Sequence, residues 1–275
     1  LQLSLDKLFK LHGLSLSRQP KDDVTLPKLV EAILSKQSGW REWCKKLYIE
    51  GRAKEEIIQI QNSDNTEIYF NFGNWKSPGE LNNLSFDTVG IPEEILVVLH
   101  EGKMISPEGK LSIKHLKELG IFPKPSKKEK TSEEICKWLE GIWLEDYVLQ
   151  QLKNIQSDCL LDEVGMSFKF PEKSGITFFE FDVACLRGYQ LFAISCTTDD
   201  TSHLCKSKLF EAYRRAKQMG GDEARVALVC YSDKADKIKQ SFMSYIDDPK
   251  VEVFGSKDIN NLSEHLKNWI QGVDK

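Results

Sequence analysis

Apolar and polar positions divide the chain into two stretches with different rhythms. Up to about residue 123 the pattern is irregular. Ser4 to His12 reads as a short helix stopped by Gly13. Leu26, Leu29, Val30, Ile33 and Leu34 recur at helical spacing, and so do Trp40, Trp43, Cys44 and Leu47. Thr66 to Phe72 alternates and is rich in aromatic and β-branched residues, which predicts a strand. Ile95 to Leu99 suits a strand or a buried helix equally, and Ser112 to Leu119 reads as a short helix closed by Gly120.

From Ser132 the rhythm becomes regular. Ile135, Trp138, Leu139, Ile142, Trp143, Tyr147 and Leu149 form one side of a helix over Glu133 to about Ile155, with Ser132 as N-cap. Glu163–Phe170 alternates as a strand. Thr177–Leu186 and Tyr189–Cys196 make a hairpin turning at Arg187 and Gly188. Ser202–Met219 is amphipathic and ends at Gly220 and Gly221. Ala224–Cys230 is a continuous apolar run, as in a strand covered on both faces. A helix around Asp233–Tyr245, a strand at Val251–Phe254 and a helix at Leu262–Ile270 follow. The order α, β, β, β, α, β, α, β, α predicts a mixed β-sheet flanked by helices, an α/β class. Between the two stretches, Phe122 to Thr131 reads FPKPSKKEKT, a basic Pro/Lys linker. The expected organisation is an irregular α/β N-terminal domain at 1–123, the linker at 124–131 and a second domain at 132–275.

Charge and cysteine content narrow the picture. The 38 basic and 42 acidic residues give a formal net charge of −4, which excludes a uniformly polycationic surface but leaves room for a local basic groove. The seven scattered cysteines contain no CxxC pair, which argues for a reducing compartment and a cytoplasmic location. No apolar run nears the roughly 18 residues of a membrane span. There is no phosphate loop, HExxH or GxSxG motif.

The chemistry concentrates on the hairpin. Glu180 and Asp182 alternate with Phe179, Phe181 and Val183, so period 2 puts the carboxylates on one face and the apolar residues on the other. Glu145 lies on the preceding helix. Lys206, Lys208, Arg214, Arg215 and Lys217 lie on the following one. The layout resembles the PD-(D/E)xK nuclease superfamily, with its restriction-endonuclease-like fold. More narrowly it resembles the nuclease domain of CRISPR-ancillary nucleases that carry a CARF sensor. Three pieces carry the resemblance: Gly141 to Val148, Glu180 to Val183, and Gly220-Gly221 leading into Ala224–Val229.

The resemblance implies a metal-dependent nuclease of antiviral defence, cutting DNA or RNA with Mg²⁺ or Mn²⁺ held by Asp182, Glu180 and Glu145. It also implies a nucleic-acid substrate, a homodimer and an upstream sensor domain absent from this chain, with no membrane partner. One strand departs from the pattern. Where E-C-K-T is expected, the chain reads Ser195-Cys196-Thr197-Thr198. A hydroxyl is a poor substitute for a carboxylate at a divalent metal, and Thr197 carries no charge. Asp199, Asp200 or Glu211 are candidates to replace the carboxylate. For the lysine, helical geometry sets Lys206 and Lys217 at one edge of the buried arc and turns Lys208, Glu211 and Arg215 elsewhere. The expected catalytic set is therefore Asp182, Glu145 and Lys206, with Lys206, Arg214 and Lys217 on nucleic acid. The alternative is a catalytically inactive nuclease-fold module that binds nucleic acid or a protein partner.

Overall fold

The computed structural model describes residues 3–16, 26–62, 65–77, 80, 90–102, 105–106, 137–171 and 178–272. The predicted helix at Ser112–Leu119 and the linker at 124–131 lie outside the described residues. Contacts divide the chain into two units. One is Thr25–Trp143; the other joins Leu1–Val24 to Leu144–Lys275.

The unit Thr25–Trp143 contains α2 (Pro27–Ser35), α3 (Gln37–Gly51), the hairpin β1 (Arg52–Asn62) and β2 (Asn65–Trp75), and α4 (Glu93–Glu101). Ile95–Leu99, open in the sequence, is helical: Pro92 starts the segment, and Glu93 and Glu94 occupy the first turn where the helix dipole favours acids. Strand β1 escaped the sequence pattern because its first half, Lys54-Glu55-Glu56, is a charge run. Leu29, Val30, Ile33, Ile95 and Leu99 are buried. The unit ends in a π-helical turn, Trp138–Ile142, where a regular α-helix was predicted. The Leu139 carbonyl in this turn accepts hydrogen bonds from Trp40 Nε1 (3.0 Å) and Cys44 Sγ (3.2 Å).

The other unit opens with α1 (Leu5–Leu11), whose N-cap Ser4 accepts the Lys7 N–H. After α5 (Trp143–Asn154) come β3 (Glu163–Pro171), β4 (Phe178–Arg187) and β5 (Gln190–Thr197). Helix α6 (Ser202–Gly220), β6 (Arg225–Cys230), α7 (Ala235–Met243), β7 (Val251–Phe254) and α8 (Leu262–Gln271) complete it. The five strands form one mixed sheet in order β3-β4-β5-β6-β7, antiparallel through β5 and parallel from β5 to β7. This is the α/β architecture that the strand and helix order predicted.

One face of the sheet carries α1, α6 and α7. Leu5, Leu8 and Phe9 join Leu209, Ala212, Ala216, Ile238 and Phe242 in a core with Phe168, Phe181, Ala193 and Leu228. Phe9 stands edge-on to Phe170 at 4.6 Å, and the Leu5 N–H donates to Glu163 Oε2 at 2.6 Å. Thus α1, the first element in sequence, packs with the last 130 residues. On the other face, Trp269 of α8 meets Phe192 and Phe254, and Tyr147 of α5 donates its hydroxyl to the Ile259 carbonyl at 2.7 Å.

The hairpin is less regular than strict alternation predicted. The core takes Phe179 and Phe181 from β4, then Ala184 and Leu186, so the side-chain rhythm shifts by one at 182–183. The β3–β4 ladder skips the pair Ser167 and Asp182, and Ser167 has a left-handed backbone (φ 61°). Asp182 therefore sits at a break between two regular stretches of strand.

Candidate active site

The β4–β5 ladder runs from Arg187–Gln190 up to Val183–Ile194. One residue further, Asp182 and Ser195 face each other through side chains: Ser195 Oγ donates to Asp182 Oδ2 at 2.9 Å. The Cys196 N–H donates to the same oxygen at 2.7 Å. The two residues thus lie on neighbouring antiparallel strands with their side chains together, as the resemblance requires.

Glu145, from the first turn of α5, and Glu180, two residues before Asp182, complete a cluster. One carboxylate oxygen from each of Glu145, Glu180 and Asp182 lies within 4.8 Å of the others. Among the described residues, Asp199, Asp200 and Glu211 are not in such a group. Asp199 is instead turned into the loop, where Oδ1 accepts the Thr201 N–H and its own N–H donates to Thr197 Oγ1. Among the described residues, Glu145 takes no hydrogen bond and no ion pair. Burial, then the charges of Asp182 and Glu180, holds its carboxyl well above the ordinary range. Burial also raises Glu180, although Lys169 opposes it from 3.3 Å across the β3–β4 pair.

The cation facing Asp182 is Lys208, which corrects the expectation of Lys206. Lys208 Nζ donates to the Cys196 carbonyl at 3.0 Å and lies 3.9 Å from Asp182 Oδ2. Burial works against its charge, but Asp182 and Glu145 outweigh burial, and its pKa ends up raised. Lys206 is half-buried and, among the described residues, forms no hydrogen bond or ion pair. Cys205, Leu209, Ala212 and Ala216 mark the buried stripe of α6. At about 100° per residue, Lys206 and Lys208 flank that stripe on opposite sides. The sequence located both edges; which edge meets Asp182 follows from how the β5-α6-β6 crossover lays the helix on the sheet.

The other cations divide. Lys217 is engaged far along α6, 2.7 Å from Asp248 and bonded to the carbonyls of Asp222 and Ala224. Arg214 is exposed. Arg215 lies 4.7 Å over the Phe179 ring. Lys169 was not foreseen as a site residue, yet a signal existed: Phe168 and Phe170 point to the core, so Lys169 must share the outward side with Glu180.

The mixed sheet, the flanking helices and the carboxylates on β4 and α5 have the layout of a PD-(D/E)xK-type nuclease domain. The Card1-like endonuclease domain matches residues 132–273, more than half of the chain, and the chain belongs to that family. Two solved structures share its fold. Protein VC1899 from Vibrio cholerae superposes with a TM-score of 0.54 at 15% identity, over 98% of this chain and 62% of that one. Can2 from Sulfobacillus thermosulfidooxidans, solved in complex with cyclic tetra-adenylate, gives 0.57 at 15% identity, over 98% and 61%. This chain therefore spans a little over three fifths of the length of either. No curated protein matches the sequence. No helix among the described residues is long and apolar enough to cross a membrane.

Proposed function

We propose that the protein is a divalent-metal-dependent nuclease that cleaves phosphodiester bonds of DNA or RNA in the cytoplasm, as part of CRISPR-associated antiviral defence. One observation carries the reading: three carboxylates converge within 4.8 Å, and one of them, Glu145, has no hydrogen bond or ion pair among the described residues. Hard dications take such oxygen donors. Ligands at roughly 2.1 Å from one Mg²⁺ lie up to about 4.2 Å apart, so the cluster needs little contraction. Asp182, Glu180 and Glu145 would hold Mg²⁺ or Mn²⁺. When bound, the ion supplies Lewis-acid polarisation of a phosphoryl oxygen and an acidified water.

The protein's own groups set up the rest. Lys208 keeps its proton, because neighbouring carboxylates raise its pKa, and so it is an electrostatic stabiliser of the phosphoryl oxygens rather than a general base. It takes the part expected of Lys206. Lys206 and Arg214, without ion pairs among the described residues, are left to meet the phosphates of a bound strand, whereas Lys217 is held by Asp248. The test is cleavage of single- and double-stranded DNA and RNA with Mn²⁺, Mg²⁺ or chelator. Metal-dependent cleavage lost in Asp182→Asn supports the reading. Cleavage that persists in that variant, in a preparation free of contaminating nuclease, removes Asp182 from the mechanism.

A second reading, a non-cleaving module that binds nucleic acid or protein, draws on Ser195 and Thr197, the neutral residues in the place of an acid and a lysine. Absence of Mn²⁺ binding together with retained nucleic-acid binding would favour it. A homodimer and a sensor domain upstream belong to the same proposal, and the mass of the purified full-length protein in solution tests the first.

A further inference from the structure

The two oxygens of Asp182 are not equivalent. Oδ2 accepts both the Ser195 hydroxyl at 2.9 Å and the Cys196 N–H at 2.7 Å, and it faces the Lys208 ammonium at 3.9 Å. Two donors fill its two in-plane lone pairs. Oδ1 takes no hydrogen bond from the described residues. The carboxylate therefore cannot rotate freely: turning its plane by 180° would exchange the atoms but leave the same donors demanding one oxygen, while intermediate rotations would strand a buried N–H and a buried hydroxyl. Ser195 is 8% exposed, so water is a poor replacement partner for it.

We infer that Ser195 is a positioning residue for Asp182. It occupies the strand position where the resemblance calls for a metal-binding acid, yet it acts as a hydrogen-bond donor rather than as a ligand. By fixing Oδ2 it dedicates Oδ1 to the cation, beside Glu180 and Glu145. The substitution that looked like decay in the sequence thus leaves three carboxylates to form the donor set, with Ser195 serving one of them. The inference rests on the metal-binding reading of the cluster.

The experiment is a calorimetric titration of Mn²⁺ into the full chain, without nucleic acid, for wild type, Ser195→Ala, Ser195→Cys, Ser195→Thr and Asp182→Asn. Loss of a group that orients a ligand lowers metal affinity roughly 10- to 100-fold. Ser195→Ala should fall at or near the lower end of that range. Ser195→Thr, which keeps the hydroxyl, should stay within a few-fold of wild type, and Ser195→Cys, a weak donor of similar shape, should lie between. Melting curves of the metal-free variants should not follow that order. If Ser195→Ala does not fold, the order of Cys below Thr still decides. If wild type binds Mn²⁺ and loses it in Asp182→Asn, but Ser195→Ala and Ser195→Cys bind as wild type, positioning by Ser195 is wrong and the metal site stands. If wild type and Asp182→Asn alike bind none, the metal site fails and the role of Ser195 fails with it.

Discussion

Helix α6 carries a lysine to an aspartate near each of its ends, and the two pairs are built on opposite principles. Toward the C-terminal end, Lys217 and Asp248 meet at 2.7 Å, both largely buried. Tyr213 donates its hydroxyl to Asp248 Oδ2 and the Lys250 N–H donates to Oδ1. Two carbonyls take the remaining protons of Lys217. Every charge there has a partner, and burial of Asp248 is outweighed by these bonds, so its carboxyl titrates below the usual range. Burial, then the Asp248 carboxylate to which it donates, pushes Tyr213 up to about 12. Toward the N-terminal end, Lys208 stands 3.9 Å from Asp182, with two further carboxylates behind it, one of them unbonded. A saturated network rigidifies; a negative cluster short of cations stores affinity for one. The two ends of one helix separate stability from binding.

The sharpest way to break this contrast is at the acidic cluster. Asp182→Asn should eliminate Mn²⁺ binding and bring cleavage below detection, while the protein folds. Next in size is Lys208→Ala, for which loss of a preorganised charge should slow cleavage on the order of 10²-fold. Lys206→Ala, on the far edge of the same stripe, should change the rate little at saturating nucleic acid and act on strand binding instead. Equal losses in the two variants, measured as initial rates at saturating Mn²⁺, would contradict the assignment of the cation.

At the other end the effect should appear in stability alone. Lys217→Ala strands a largely buried carboxylate and should cost about 2 kcal/mol in urea unfolding. The rate per folded molecule should be unaltered; a large drop would mean that Lys217 touches the substrate after all.

The smallest and most diagnostic effect is the pH dependence. Asp248 has a folded pKa below its unfolded value, so its contribution is present above about 3.8 and disappears as pH falls through the lower folded value. Glu145 has the opposite sign. Its folded pKa is raised, so the metal-free protein loses stability as pH climbs from the ordinary carboxylate value, 4.5, through the raised one. Melting temperatures across pH 3 to 8 should therefore show Asp248→Asn converging on wild type in acid, and Glu145→Gln gaining on wild type toward neutrality. Saturating Mn²⁺ should reverse the second trend.

Much of this was legible in the chain. Alternation around Glu180 and Asp182 located the hairpin and its acids, and the apolar run Ala224–Cys230 gave the buried parallel strand. Glu145 was visible as the acid of the preceding helix. Three things were hidden. The side-chain rhythm slips at Asp182 because the β3–β4 ladder skips a pair there, and alternation has no sign for that. The choice of Lys208 over Lys206 depends on which edge of α6 the tertiary packing turns toward β4. The π-helical turn before Trp143 leaves no apolar signature, because one extra residue in a turn reads as noise in a 3.6-residue period.

How α6 is fastened has a mechanical consequence. At its far end, a Cβ on Gly220 would lie 2.9 Å from both Leu191 Cβ and Ala224 Cβ, so the helix is clamped there against the sheet. At the near end, Thr201 gives the first turn no side-chain cap. A lysine borne on a strand would be immobilised by the ladder; Lys208 rides on a rod anchored at the opposite tip. Its ammonium is tied back to the sheet by the Cys196 carbonyl, so β5 fixes the position of a charge that the strand's own sequence no longer carries.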